Sequence, residues 1–253
     1  MHEVLRYAAI GDSFTEGIGD ERPDGTPRGW ADQTAAQLAR HQVVEYVNLA
    51  IRGRLLEPIA TEQLDDVLAL EPDLLTFNGG GNDLLRPSYD PDRLTALTER
   101  VILASKAAGV RVVVLSGANP SRRIPFGAKV NAAGIELTRI VRELTDRHGV
   151  EFVDNFGDGE LARAGYWSPD RIHLNADGHR RVAARLLTHL GYQPPSGWLT
   201  PLPHPDAPPT RREQIGYYRE HVAPWVWRHL RGRSSGDGVE PKHAAWTTIP
   251  ATG

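Results

Sequence analysis

Residues 4–13 have the sequence VLRYAAIGDS, in which an apolar run ends at a glycine and is followed by Asp12 and Ser13. A short apolar run bounded by a turn residue predicts a buried strand over residues 4–10. Ser13 then lies just after the strand, where its hydroxyl group can point out from the carboxyl edge of a sheet. A Gly-Asp-Ser triplet alone is more often an ordinary turn, so the role of Ser13 depends on the rest of the chain.

Apolar strands alternate with helical patterns along most of the chain. Strands are predicted at residues 4–10, 43–49, 74–78, 111–115 and 150–153. Helices are predicted at residues 30–39, 58–70, 90–109, 128–148 and 176–190. This alternation predicts an α/β fold with a five-stranded parallel sheet and helices on both faces. In such folds ligands bind beyond the carboxyl ends of the strands.

Asp170 and His173 lie three residues apart in a loop before the last predicted helix, for which Asn175 is a good N-cap. A neutral imidazole that is hydrogen-bonded to a serine hydroxyl can take its proton during attack on a carbonyl. We therefore expect His173 to act as a base that Asp170 orients. The loop alone is equally compatible with a surface aspartate and a capping histidine.

Acyl transfer also needs hydrogen-bond donors that face the developing oxyanion. Asn82 follows the strand at 74–78 and a run of three glycines at 79–81, which allows a tight turn at the sheet's edge. Gly53 follows the strand at 43–49 in the same way, and the N–H of Ser13 is a third donor. An ordinary loop glycine and a turn asparagine are the alternatives for Gly53 and Asn82.

Four short blocks of the chain resemble those of the SGNH hydrolases, also called GDSL esterases and lipases. They are Gly11-Asp12-Ser13, Asn48 with Gly53, Gly80-x-Asn82-Asp83, and Asp170-x-x-His173. The resemblance extends over roughly residues 4 to 190 and is specific because all four blocks occur in order. Phe14 replaces the leucine of the GDSL name, as in many family members.

The resemblance implies a flavodoxin-like three-layer sandwich and a serine hydrolase that cleaves carboxylic esters through an acyl-enzyme. Ser13 would be the nucleophile, His173 the base and Asp170 its partner. The oxyanion hole would consist of the N–H groups of Ser13 and Gly53 and the side chain of Asn82. Asp12 would support the nucleophile turn, and neither a cofactor nor a metal ion is expected. The polar loop at residues 19–29 suggests an open mouth and a preference for small acyl or acetyl esters.

Two functions from other classes remain open at this point. A metal-dependent phosphoesterase also uses Gly-Asp and Gly-Asn-Asp turns at strand ends, although the sequence offers no obvious cluster of ligands. A non-catalytic carbohydrate or lipid binder could have kept the fold. The Gly-x-Ser-x-Gly motif of α/β-hydrolases does not surround Ser13, so that fold is not favoured.

Composition gives no sign of a nucleic-acid or membrane partner, whereas the family resemblance implies a small-molecule ester substrate. The chain has 253 residues, 40% hydrophobic content, a net charge of −3 and no cysteine. This charge gives no reason to expect nucleic-acid binding, and no segment is apolar enough to suggest a membrane span or signal peptide. We therefore expect a cytoplasmic protein.

Residues 194–253 differ from residues 1–193, which we interpret as the catalytic domain. They are rich in proline and contain four of the six tryptophans, among them Trp198, Trp225 and Trp227. A helix interrupted by Pro224 is predicted at residues 211–230, with an irregular segment after it. We expect this extension to pack on the catalytic domain. A subunit contact, which would make the protein an oligomer, and a wall of the substrate cleft are the alternatives.

Several other polar residues have ordinary structural explanations. Asp154 ends a strand and is a weaker candidate than Asp170 for the partner of His173. As possible metal ligands, His173, Asp177 and His179 lack the spacing of a zinc motif. Arg122 and Arg123 could meet an anionic substrate, but a solvated loop is the simpler interpretation.

Overall fold

Five parallel strands form the centre of the molecule, and each lies where the sequence predicts one. The structure is a computed structural model that describes residues 4–125, 127–203, 210–222 and 235–251. The strands are β1 (Leu5–Ile10), β2 (Val44–Asn48), β3 (Leu74–Phe77), β4 (Arg111–Leu115) and β5 (Glu151–Val153). Their order, β5-β4-β3-β1-β2, is that of flavodoxin-like folds. The predicted α/β fold with a parallel sheet is confirmed.

A sixth strand, β6 (His243–Ile249), extends the sheet beside β2. It runs antiparallel to β2, with Ile249 opposite Val44. The prediction of five strands and an irregular carboxyl terminus is wrong on this point. Most β6 side chains are exposed or only half-buried, so the sequence has no strong apolar pattern there. The strand forms because the edge of β2 offers unpaired backbone groups.

Helices cover both faces of the sheet. They are α1 (Ser13–Glu16), α2 (Gly29–Leu38), α3 (Leu56–Pro58), α4 (Leu64–Ala69), α5 (Pro91–Ala107), α6 (Gly127–His148), α7 (Ala176–His189) and α8 (Arg211–Tyr217). A π-helical turn, Ile59–Gln63, joins α3 to α4. Asn175 caps α7 as predicted, since its side chain accepts the N–H groups of Asp177 and Gly178.

Alternate residues of β1 divide the core into two layers, because successive strand side chains point to opposite faces. Tyr7 and Ala9 pack in one layer with Trp30 of α2 and residues of α7. Ala8 and Ile10 belong to the other layer, which also contains residues of α4, α5 and α6. The sheet, with helices packed on each of its two faces, is the predicted three-layer sandwich.

Parts of the carboxyl-terminal extension contact the rest of the chain. Trp198 is half-buried against the first core layer. In the helix predicted from residue 211, Ile215 and Tyr218 are exposed while Tyr217 is buried. Pro224, Trp225 and Trp227 lie outside the described residues. The division at residue 193 stays a prediction.

Candidate active site

Ser13 is the first residue of α1 and lies just beyond the carboxyl end of β1. Asp12 caps this helix, and its Oδ1 accepts the N–H of Phe14 at 3.0 Å. A Cβ atom at Gly11 would lie 2.8 Å from the carbonyl oxygen of Asn78, so only glycine fits this close approach. The turn therefore holds Ser13 at the sheet's edge, half-buried.

Asp170 and His173 form a hydrogen-bonded pair in the loop before α7. The distance between His173 Nδ1 and Asp170 Oδ2 is 2.6 Å. Asp170 Oδ1 also accepts the hydroxyl of Ser168 at 2.7 Å and the N–H groups of Ile172 and His173 at 3.1 Å. The carboxylate is thus held by its own loop, which needs no second element to aim the imidazole.

The electrostatics of this pair favour an ionised aspartate. Burial by itself would raise the pKa of Asp170, but the hydrogen bond from His173, the charge of that imidazole and the Ser168 hydroxyl outweigh burial and hold the pKa well below its usual range. An ionised Asp170 keeps the proton of a neutral His173 on Nδ1. Nε2 is then the ring nitrogen that can accept a proton.

Asn82 is hydrogen-bonded to the segment that carries Ser13. Its Nδ2 donates to Asp12 Oδ2 at 3.1 Å and to the carbonyl oxygen of Arg54 at 2.9 Å. Burial raises the pKa of Asp12 to about 6, against the opposing effect of the Phe14 N–H. Because both amide hydrogens of Asn82 are engaged, donation to an oxyanion requires one of these bonds to be shared or released.

Gly53 lies in the loop after β2 with a φ of 74°, a backbone conformation that favours glycine. The preceding residue, Arg52, donates its backbone N–H to Glu16 Oε2 at 2.6 Å. Asn48, at the end of β2, is fully buried and donates to the carbonyl oxygen of Thr15 at 3.1 Å. Both contacts join the loop of Gly53 to α1.

The proposed site residues Ser13, Gly53, Asn82, Asp170 and His173 all line one cavity of about 820 Å³. Ser13 and His173, both described, are not hydrogen-bonded to each other. Such bonds are often long in free enzymes and shorten when substrate binds. The structure therefore brings the five predicted residues to one cavity.

Comparison with known proteins shows the family. A family model described as the GDSL-like lipase/acylhydrolase family matches residues 9–181. The chain belongs to this family. Its members are carboxylic ester hydrolases, and the resemblance of the four sequence blocks is thereby confirmed.

Solved structures of hydrolases share the fold of this GDSL-family chain. An acetyl xylan esterase from Geobacillus stearothermophilus is 20% identical, with a TM-score of 0.60 over 75% of this chain and 95% of that chain. An α/β hydrolase from the metagenome of Lake Arreo, Spain, is 23% identical, with a TM-score of 0.59 over 74% and 95% of the two chains.

Among curated proteins, the uncharacterized protein YpmR of Bacillus subtilis is similar in one segment. It is 34% identical over 91 residues, which are 33% of this chain and 34% of YpmR. The chain thus matches about a third of the length of that relative.

Two residues that contact the nucleophile segment of this GDSL-family chain were missed in the sequence. Gln63 is buried, and its Oε1 accepts the N–H of Gly11 at 2.8 Å while its Nε2 donates to the Gly11 carbonyl oxygen at 3.0 Å. Lys242 donates to the carbonyl oxygen of Glu16 at 2.6 Å. Nothing near these residues in the sequence signals a contact with residues 11–16.

The extension also contributes to the cavity wall. Tyr217 of α8 lines the cavity, and its ring centroid lies 3.9 Å from the guanidinium carbon of Arg171. Arg171 stands between Asp170 and His173, has a φ of 64°, and donates to Gln214 at 2.9 Å. The loop of Asp170 and His173 is thus bound to α8.

The other polar residues considered in the sequence lie elsewhere. Asp154 accepts the hydroxyl of Ser116 at 3.2 Å and also binds Arg142 at 2.5 Å. Burial lowers the pKa of His179 to about 4, and this ring accepts the N–H of Trp30 at 3.2 Å. Asp154 and His179 therefore have structural partners.

Arg122 and Arg123, for which a solvated loop was predicted, have different surroundings. Arg123 donates to the carbonyl oxygen of Ala162. Arg122 borders a smaller, polar pocket of about 420 Å³. Neither lines the cavity of Ser13.

No three His, Asp or Glu side chains among residues 4–125, 127–203, 210–222 and 235–251 are grouped so that they could hold a metal ion. In the same ranges no helix has both the length and the apolar character needed to span a membrane.

Proposed function

We propose that this protein hydrolyses carboxylic esters through an acyl-enzyme on Ser13. The observation that carries the proposal is the 2.6 Å pair of Asp170 and His173 on the same cavity as Ser13. Membership of the GDSL-like family supports ester hydrolysis in general. The serine mechanism and the roles of single residues are part of the proposal.

In the first half of the reaction, Ser13 Oγ attacks the ester carbonyl carbon and His173 Nε2 takes the hydroxyl proton. Asp170 stabilises the imidazolium that results, because its carboxylate stays ionised. The tetrahedral intermediate collapses as its bond to the alcohol oxygen breaks, and His173 gives its proton to the departing alkoxide. An acyl group is left on Ser13.

In the second half, water attacks the acyl-enzyme and His173 Nε2 takes a proton from it. Collapse of the second intermediate releases the carboxylic acid and returns the proton to Ser13. The N–H groups of Ser13 and Gly53 and the amide of Asn82 are the proposed donors to both oxyanions. Asp12 supports this arrangement through its hydrogen bonds to Phe14 and Asn82.

For the substrate, we propose small acyl or acetyl esters. The acetyl xylan esterase of similar fold acts on acetyl groups, which agrees with the polar loop predicted at the mouth of the site. Asp20 in that loop is buried and accepts Arg28 at 2.8 Å and Gln33 at 2.7 Å. The bond to Gln33 joins the loop to α2.

The walls of the cavity favour a second candidate, esters of longer acyl chains. Most of the lining side chains are apolar, among them Phe77, Leu85, Val114, Leu137 and Phe156. Each methylene group that such walls bury fully adds about 0.8 kcal/mol of binding free energy. Residues 19–29 do not line the cavity, so the polar loop would not interrupt this contact.

Two measurements test these proposals. A fluorophosphonate probe should label the wild type at Ser13 and should not label Ser13→Ala; labelling of the variant would overturn the acyl-enzyme proposal. With p-nitrophenyl esters from acetate to decanoate, a flat or falling kcat/KM supports small acyl substrates. A steep rise with chain length supports the second candidate.

A further inference from the structure

Lys242 is the residue just before β6, and its side chain is buried against the catalytic part of the chain. Only 11% of this side chain is exposed. Its Nζ donates to the carbonyl oxygens of Glu16 and Arg28, each at 2.6 Å, and lies 2.7 Å from Asp32 Oδ1. The carbonyl oxygen of Pro27 is 3.3 Å away. An ammonium group has three donors, so all of them are used here.

Burying the ammonium group of Lys242 costs free energy, because the group loses its hydration. Burial lowers the pKa of Lys242, and the nearby Asp32 carboxylate opposes that change. An apolar side chain at this position would bury surface without the cost of a buried charge. The three main-chain contacts therefore point to a requirement for hydrogen bonds at these particular carbonyl groups.

The carbonyl group of Glu16 belongs to the helix that Ser13 begins. Glu16 is the last residue of α1, and its main chain accepts Lys242. Its carboxylate accepts the backbone N–H of Arg52 at 2.6 Å and the Arg52 Nε at 3.0 Å. Arg52 directly precedes Gly53. One residue, Glu16, thus connects Lys242 with both the serine helix and the loop of a proposed oxyanion donor.

A second contact from the same part of the chain reaches that loop. Gly236 is buried, and a Cβ atom there would lie 2.1 Å from the carbonyl oxygen of Arg52. The backbone at residue 236 thus lies directly against the backbone at residue 52. On the other side, a Cβ at Gly17 would lie 2.6 Å from Gly29, so the end of α1 touches the start of α2.

We propose that Lys242 is a positioning residue for catalysis, which holds α1 and the loop of residues 52–53 so that Ser13 Oγ and the Gly53 N–H meet the same carbonyl group. This inference rests on the proposed roles of Ser13 and Gly53. Lys242 itself does not line the cavity. Its effect on the reaction is therefore exerted through Glu16.

The test compares Lys242→Met with Trp246→Leu, a matched substitution in β6. Trp246 packs on the second core layer and contacts neither Glu16 nor the cavity. Both changes should lower Tm. Lys242→Met should also lower kcat for p-nitrophenyl acetate by about 10- to 100-fold, the effect of a small misplacement of reacting groups. Its KM should change by less than about threefold, because the ester does not touch Lys242. Trp246→Leu should retain the wild-type kcat per folded molecule.

The double variant Asp32→Asn/Lys242→Met keeps the test usable if Lys242→Met does not fold, because it removes a buried carboxylate that would lose its lysine partner and keep Arg22 on its other oxygen. It should show the same loss of kcat. Hydrogen exchange of the backbone at residues 13–18 and 51–54 should be faster in the Lys242 variants than in Trp246→Leu. Equal kcat and equal exchange in the Lys242 and Trp246 variants would overturn the inference. Exchange does not require activity, so an inactive wild type would count against the proposed function only.

Discussion

At the scale of single residues, Ser13 and His173 are expected to act as one unit. Ser13→Ala and His173→Ala should each remove nearly all hydrolysis of p-nitrophenyl acetate without unfolding the protein. The double variant should be little worse than either single variant, because the residues contribute to the same transition state. Circular dichroism checks folding, and clearly additive losses would contradict the assignment.

A comparison of Asp170 with Asp154 tests which aspartate is the partner of His173. Asp170→Asn should lower kcat by about 10³- to 10⁴-fold, since an amide cannot stabilise the imidazolium or hold the required tautomer. Asp154→Asn should leave kcat unchanged, because Asp154 binds Ser116 and Arg142 instead. A greater loss in the Asp154 variant would transfer the role to that residue.

Asp12 should make the stability of the folded protein depend on pH, and the direction of this dependence follows from its raised pKa. The fold raises this pKa from 3.8 to about 6, so the folded state binds the proton more tightly than the unfolded state. The free energy of unfolding therefore falls as pH rises through the range from about 4 to 6, by on the order of 2 to 3 kcal/mol. Asp12→Asn has no charge to bury and should escape this loss.

The measurement is the Tm difference between Asp12→Asn and wild type at pH 4 and pH 7. The difference should shift in favour of the variant as pH rises. Asp66→Asn, a change at an exposed position of α4, serves as the control and should show no such shift. A difference for Asp12→Asn that stays constant with pH would disprove the role of this carboxyl group.

At the scale of elements, the π-helical turn between α3 and α4 supports the nucleophile segment. Gln63, its last residue, pairs with both backbone groups of Gly11. Gln63→Leu leaves the buried Gly11 N–H without its acceptor, which costs about 1–3 kcal/mol of stability. Since Gly11 precedes Asp12 and Ser13, kcat should fall as well.

Urea unfolding and p-nitrophenyl acetate hydrolysis check this prediction. Glu62→Ala is the matched control, because Glu62 lies in the same turn but is exposed. It should leave both stability and kcat close to wild type. If Gln63→Leu behaved like Glu62→Ala, the pairing with Gly11 would have no energetic importance.

At the scale of the whole molecule, the carboxyl-terminal extension contacts the catalytic part at several separate points. β6 covers the edge of β2, Trp198 packs on the first core layer, and Tyr217 lines the cavity. A chain cut after Tyr192 should therefore melt at a lower temperature and be less soluble, because it exposes apolar surface and an open sheet edge.

Calorimetry and light scattering test the truncation. A second chain cut before Ser235 retains α8 and loses β6, which separates the two contributions. If the extension joins subunits instead, truncation should convert an oligomer into a monomer. A truncated protein with the parent's oligomeric state, melting temperature and activity would contradict both the packing and the subunit-contact interpretation.

Much of the site was predictable because its residues follow strands of a parallel sheet. Ser13, Gly53 and Asn82 each come after an apolar run, and the carboxyl ends of such strands meet at one edge. Asp170 and His173 are close in sequence, so their pairing needs only a local loop. In these cases the position of a residue at the candidate site can be predicted from a few neighbours, and its chemical role stays a prediction.

The parallel α/β fold, the family and most strand and helix positions up to residue 190 could be predicted from the sequence, whereas α1 and the π-helical turn could not. Apolar periodicity, turn residues and motif order are local properties, and short windows of sequence contain them. The folded structure was needed to find the sixth strand, the hydrogen bonds of Gln63 to Gly11 and the contact of Lys242 with Glu16. Those partners lie 52 and 226 residues apart. Hydrogen bonds between such distant groups depend on how the chain folds back on itself, and polar or exposed residues leave no periodic signal of them.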